Sequence, residues 1–496
     1  MKRLFVVICW LCVILLGAYL RFDHLSKRPF HADEATGARI TANRMVGEGK
    51  FDPKHYHGPL FHMMGEASCA IRGETGWKTM SKETLRLVPA VGGILLLLVP
   101  LLGRRRFGDW PMLAAAVLLA SSPLLVYYSR MFIHEILLTL FGMAALMMFP
   151  NPRRIVWAGL LIGLMYAIKE TFAISIIAWT GAAVLLAIGN WRMWNKELLL
   201  TAKPWIPQLL AGAALAILVP LLVYTDFFRH PIGAVDAVKT FFVYETVGGH
   251  DKSAAYYLDL LAIPRKAGGL WWFGTPVVLL ALLAYVASFF RAENRNFIRF
   301  VAYSALGHFA IYTLFAYKTP WLACLPWAHV CLLAGLSFSG FTRSPLAWKG
   351  IVAVLTGVAL ITQIRQTRFA TGRLESDARN PFAYVPTRPS LESLEPWLKQ
   401  LAATSPDGSM EPIAVVGSDY WPLPWYLRSF DRIGYFKEPA DEIVSLPLVI
   451  ATPAAAESTA ARLESTHTVL LKDLRNEVPL HVFVRNDLWK LWSERK

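Results

Sequence analysis

A polytopic α-helical membrane protein with a small C-terminal α/β domain is the fold class this sequence predicts. Three observations predict it. The 496 residues are 55% hydrophobic and only 17% charged. Their apolar residues come in blocks, several of them of the roughly 17–25 residues that a ~30 Å hydrocarbon layer requires of a spanning helix. Beyond about residue 391 the blocks give way to short alternating apolar runs mixed with charge. A formal net charge of +15 would point to nucleic acid in a soluble chain; here it reports loops that face anionic lipid, so nucleic acid is set aside as a partner.

The first apolar block, at 4–20, follows Lys2 and Arg3, and no small-x-small cleavage site ends it, so it reads as a retained first helix. Cys9 and Cys12 within it read as apolar filler, and the five cysteines imply no disulfide framework. Further blocks lie at 86–102, 111–128, 136–149, 155–168, 172–189, 206–224, 268–290, 299–317, 321–340 and 347–362, which gives eleven expected spans. Short basic connections (Lys2-Arg3, Arg104 to Arg106, Arg153-Arg154, Arg192 with Lys196, Arg291 with Arg295, Arg343 with Lys349) fall on one side if the spans alternate. That side is cytoplasmic by the positive-inside rule, with the N-terminus. The loop 21–85, the turn 129–135, Lys169-Glu170, the loop 225–267, Tyr317 to Thr319 and the tail then face out. The expected domains are 1–362, transmembrane, and 363–496, extracytoplasmic.

Loop 21–85 is long and amphipathic, which predicts two helices lying along the outer surface. In the tail, IAVVG, RIGYF, LPLVIA and HVFV read as strands; LESLEPWLKQLAA and TAARLES read as helices.

Candidate chemistry gathers on the outer side. In FHADEA, Asp33 and Glu34 stand where a surface helix begins, so one acid could cap it. The functional alternative is a carboxylate that takes a proton from an acceptor hydroxyl. HYHGPL supplies His55 and His57, and His62 follows; with His31 these are four of the loop's five imidazoles, without the ligand spacing of a zinc centre. In YYSRMFIHE, Arg130 and His134 share a face if the turn is helical, and Glu135 is adjacent. Lys169 and Glu170 interrupt AIKETFAI, and Lys318 interrupts FAYKTPWL; cations at such depth need a polar cavity or an ion pair. His250 and Tyr257 belong to the loop 225–267. With no Gly-rich phosphate cradle in the chain, a nucleotide-sugar donor is unsupported. A membrane-delivered lipid phosphate, held by cations, fits the inventory better.

HADEA, YHGPL, YYSRMFIHE, YKTPWL and DYWPLPWYLR together resemble the GT-C superfamily of integral membrane glycosyltransferases. Within it the pattern is similar to the protein O-mannosyltransferase and aminoarabinose-transferase branches and to the "flippase activity-associated" family. The resemblance implies an inverting transfer of a sugar from a polyprenyl-phosphate donor to a lipid, glycan or protein acceptor on the outer face of the cytoplasmic membrane. It implies Asp33 as base with Glu34 its companion, and Arg130, His57 and, by position, Lys318 on the donor phosphate; Lys169, a cation at the same rim, is a further candidate for that phosphate. His31, His55, His62, His134, Glu135, Glu170, His250 and Tyr257 are the further substrate-contacting or structural candidates. Gly58 stands where mannosyltransferases carry the first proline of their H-P-P-L element. No cofactor is required, and a divalent metal is the minority reading. The competing class is a transporter or flippase of lipid-linked sugars, which predicts inverted repeats, broken helices and polar groups near mid-membrane.

Overall fold

The computed structural model describes residues 2–190, 203–243, 251–290 and 293–494; Arg192, Lys196, His250 and Arg291 lie outside them. All eleven apolar blocks carry helix. They are α1 (Lys2–Phe22), α4 (Lys82–Leu98), α5 (Asp109–Ser121) continued by α6 (Pro123–Ser129), α7 (Glu135–Met148), α8 (Ile155–Ile168), α9 (Phe172–Gly189), α10 (Ile206–Tyr224), α11 (Thr275–Phe290), α12 (Arg295–Leu314), α13 (Cys324–Leu336) and α14 (Leu346–Ala370). Between α1 and α4 lie two helices, α2 (Ala32–Met45) and α3 (Leu60–Ile71), where two were expected. Among the described residues, six helices are long and apolar enough to cross a membrane alone. A seventh candidate is the pair α5–α6, bent by 61°. The bend has a local cause: Ser122 precedes Pro123, whose ring disfavours helical geometry at the residue before it, and Ser122 is extended (ψ 120°). Several remaining blocks form shorter apolar helices, α7 and α11 among them, so eleven full spans are not established.

The basic connections meet at one end of the bundle. Arg106 donates to Pro150 O (2.8 Å) and to Asn294 Oδ1 (3.0 Å), and Arg154 donates to Leu102 O (3.1 Å). Helix α14 runs on to Ala370, past the expected boundary at 362. The tail then forms the expected α/β unit. Its five-stranded sheet is ordered β2-β1-β3-β5-β4, with β1 (Ile413–Val416), β2 (Ile433–Phe436), β3 (Leu448–Ala451), β4 (His467–Arg475) and β5 (Val478–Arg485). The first three strands pair in parallel, and β3, β5 and β4 pair antiparallel. Strands β1 and β3 are buried throughout, as central parallel strands must be.

The sheet domain sits on loop 21–85. From DYWPLPWYLR, the buried Trp425 lies against Phe30 (ring centroids 4.2 Å) and edge-on to Trp77 (5.5 Å). Tyr426 Oη accepts the Phe30 N–H (2.9 Å) and donates to Glu392 (2.7 Å). Thr387 donates to Phe30 O (2.9 Å), so the segment entering HADEA is held on both its amide and its carbonyl side.

Candidate active site

Helix α2 begins with a capping box. His31 is extended, its Nδ1 accepts the Asp33 N–H (3.1 Å), and Glu34 reaches back to accept the His31 N–H (3.1 Å). The other ring nitrogen of His31 donates to Tyr384 O (2.9 Å), tying the helix start to the segment that leads into the sheet domain.

The two adjacent acids separate completely. Glu34 is fully buried and takes Arg86 through Nε (2.7 Å) and Nη2 (2.8 Å), accepts the Phe132 N–H (2.9 Å), and has Arg28 at 3.6 Å. Burial opposes its ionisation, but Arg86, Arg28 and the Phe132 amide outweigh it and hold the carboxyl at about 2. Such a carboxylate is a strut and not a companion base, which corrects that expectation. Asp33, one residue earlier, points outward with 51% of its side chain exposed; the His31 ring is 3.7 Å away.

Tyr317 links Asp33 to the next cluster. Burial pushes its phenol up to about 12, with Lys169 opposing and the charges of Asp33 and Glu135 adding to the rise. Asp33 also raises Tyr384, whose phenol burial carries to about 12. Asp33 therefore acts electrostatically on both phenols, and Lys169 and Glu135 act on that of Tyr317. Lys169, in the turn after α8, pairs with Glu135 in the first turn of α7 (2.6 Å), both nearly buried. Beside them His57 Nδ1 meets Glu170 (3.0 Å). Burial again opposes the Glu170 charge, and His57 with Lys169 holds it down to about 2. Gly58 makes this possible: a Cβ there would stand 2.3 Å from Ala167 O, so only glycine lets the turn lie against the end of α8.

Two of the four expected phosphate ligands point elsewhere. Arg130 donates to Leu20 O and Arg21 O (both 3.2 Å) and to His24 O (3.4 Å), capping the end of α1. Residues 131–134 are not helical, so Arg130 and His134 do not share a face. Lys318 is buried and donates to Phe315 O and to Lys252 O (3.1 Å), closing the end of α12. Both cations are thus turned to carbonyls of the chain, and the expected meeting with Asp33 gives way to these contacts.

The remaining candidates divide in the same way. His55 pairs locally with Asp52 (2.8 Å) in an exposed turn. His62 is buried with Nδ1 3.2 Å from Thr41 Oγ1. His134 packs on Phe61 (4.3 Å) and edge-on to His57 (4.9 Å) and His62 (5.3 Å). Burial, then His57, His62 and Lys169, push it well below the ordinary imidazole value, so it is neutral. Tyr257 donates to Thr319 O (3.2 Å), bracing the strap that carries Lys318. Among the described residues, no three His, Cys, Asp or Glu side chains are grouped to hold a metal ion.

Sequence reasoning missed Arg86 and Arg265. Arg86 opens an apolar block, and an arginine so placed demands an acid, which was the available signal. Arg265 is half-buried beside Tyr256, which in turn neighbours Tyr384; its Nε has no hydrogen bond among the described residues. No pattern in the loop announces it.

Bundle, loop helices and docked sheet domain together define a polytopic α-helical membrane protein with the fold of ArnT and AglB. Residues 56–224, less than half of the chain, match the model of the dolichyl-phosphate-mannose-protein mannosyltransferase family. The structure is similar to that of ArnT from Cupriavidus metallidurans bound to undecaprenyl phosphate, at 15% identity and a TM-score of 0.62, covering 97% of this chain and 98% of that one. It is also similar to the archaeal oligosaccharyltransferase AglB from Archaeoglobus fulgidus, in complex with an inhibitory peptide and a dolichol-phosphate. There the identity is 14% and the TM-score 0.57, over 95% of this chain and 73% of that one. No curated protein matches.

Proposed function

We propose that this chain transfers a sugar, with inversion, from a polyprenyl-phosphate donor to an acceptor hydroxyl at the extracytoplasmic face of the cytoplasmic membrane, the N-terminus being cytoplasmic. The observation that carries this reading is Asp33: an outward carboxylate on a rigidly capped helix start, sharing the region of Tyr317 with Lys169. In the reaction Asp33 takes the proton of the acceptor hydroxyl, and the acceptor oxygen bonds the anomeric carbon from the face opposite the phosphate. The bond from that carbon to the phosphate oxygen breaks, and the carrier leaves as polyprenyl phosphate. Charge grows on the leaving phosphate, so fixed donors aimed at it lower the barrier. Lys169 and Arg265 are the cations assigned to that role, with His57 beside Lys169 as a hydrogen-bonding ring. Undecaprenyl phosphate bound to ArnT and dolichol-phosphate bound to AglB, on the same fold, support a lipid-phosphate donor.

Asp33→Asn tests the base. General base catalysis contributes about 10²–10⁴-fold, so the variant should lose that much transfer of labelled sugar from a panel of polyprenyl-phosphate sugars, while its unfolding temperature stays unchanged. Undiminished transfer by a folded Asp33→Asn protein rules the assignment out.

A further inference from the structure

We propose that a groove at the basic end of the bundle, opposite the end that bears Asp33, binds an anionic glycerophospholipid. The groove has a volume of about 530 Å³ and opens between α8, α9 and α12. That is within the roughly 300–1,000 Å³ of small-ligand sites. Its wall is apolar, formed largely by Phe149, Ile162, Trp179, Phe297 and Phe300. Arg106 stands at its end. The Arg106 guanidinium is held by Asn294 Oδ1 and Pro150 O, which leaves Nη2 without a hydrogen bond among the described residues. Arg105, Arg153 and Arg154 belong to the same end and raise the local positive charge.

Charge and size select the occupant. A planar guanidinium suits a phosphate, and the apolar wall suits a chain from the hydrocarbon layer. A zwitterionic headgroup brings its own cation, which these arginines repel; a net anionic one does not. At roughly 30 Å³ per heavy atom, the share of one molecule in liquid water, the groove takes on the order of 18 atoms. That matches one of the two acyl chains of a glycerophospholipid, the second staying in the surrounding hydrocarbon layer.

Native mass spectrometry of the full-length protein, titrated with phosphatidylglycerol or phosphatidylcholine, tests the site independently of sugar transfer. The intact protein should retain one phosphatidylglycerol about fivefold over phosphatidylcholine, the preference that one arginine near an anionic headgroup supports. Arg106→Gln should bring the ratio to about one. Ala183→Trp, at an exposed position in the groove wall, should abolish retention of both lipids. Equal retention of the two lipids by the unaltered chain overturns the proposal, as does full retention in Ala183→Trp. Displacement of phosphatidylglycerol by undecaprenyl phosphate in an Arg106-dependent way also overturns it, by making the carrier the occupant.

Discussion

The last carbonyls of an α-helix have no partner within it, and at the end of α1 they face Arg130. Three carbonyls accept from this one side chain, which places a positive charge at the negative end of the helix dipole. Burial and the nearby Arg28 lower its pKa to about 10, which still leaves it charged at neutral pH. Hydrogen bonds from a charged donor are worth about 1.5–3 kcal/mol each. Arg130→Met should therefore lower the unfolding temperature measurably in detergent while leaving the KM for a lipid-phosphate donor unchanged. A raised donor KM at unchanged stability would restore Arg130 to the phosphate site. Lys318 follows the same logic at the end of α12. Both residues were expected on a donor phosphate, and the oxygens they meet are the chain's own carbonyls, which the chain order does not announce.

At the scale of elements, the helices were legible because an apolar run of sufficient length has few alternatives in a bilayer. Boundaries were less legible: α14 continues through polar residues to Ala370 because Gln363 and Gln366 on its inner face bond Ser121 and the Trp271 and Phe273 carbonyls. The turn HYHGPL illustrates a contact that no local pattern encodes. Gly58 passes so close to the end of α8 that any side chain there must push the turn outward. Gly58→Ala should displace His57 from Glu170. The expected result is a fall in sugar transfer of roughly tenfold or more, the effect of about 1.4 kcal/mol on a barrier. Steady-state rates with unfolding temperature as control measure it, and a normal rate would remove His57 from the site.

For the molecule as a whole, the sheet domain and the bundle meet at the segment that leads into Asp33. Tyr426 bonds both Phe30 N and Glu392, and Glu392 pairs with Lys82 (2.9 Å) near the start of α4. Tyr426→Phe removes both bonds from a buried site at unchanged shape. Amide exchange at Phe30 should accelerate by roughly tenfold or more, on the scale of one to two lost hydrogen bonds, and hydrogen-exchange mass spectrometry of residues 28–34 reads it. Unchanged exchange would mean the domain rides on the loop without bracing it. Composition and block length by themselves determined the membrane class, the two helices between the first apolar blocks and the α/β tail, because burying apolar surface is a property of residue type and spacing. Which charges are taken up by the chain itself was decided only by tertiary structure. Arg130, Lys318 and Glu34 are spent on carbonyls, amides and Arg86, and Asp33 is left facing out. A buried charge must find its nearest partner across the packed bundle, and sequence distance carries no record of that geometry.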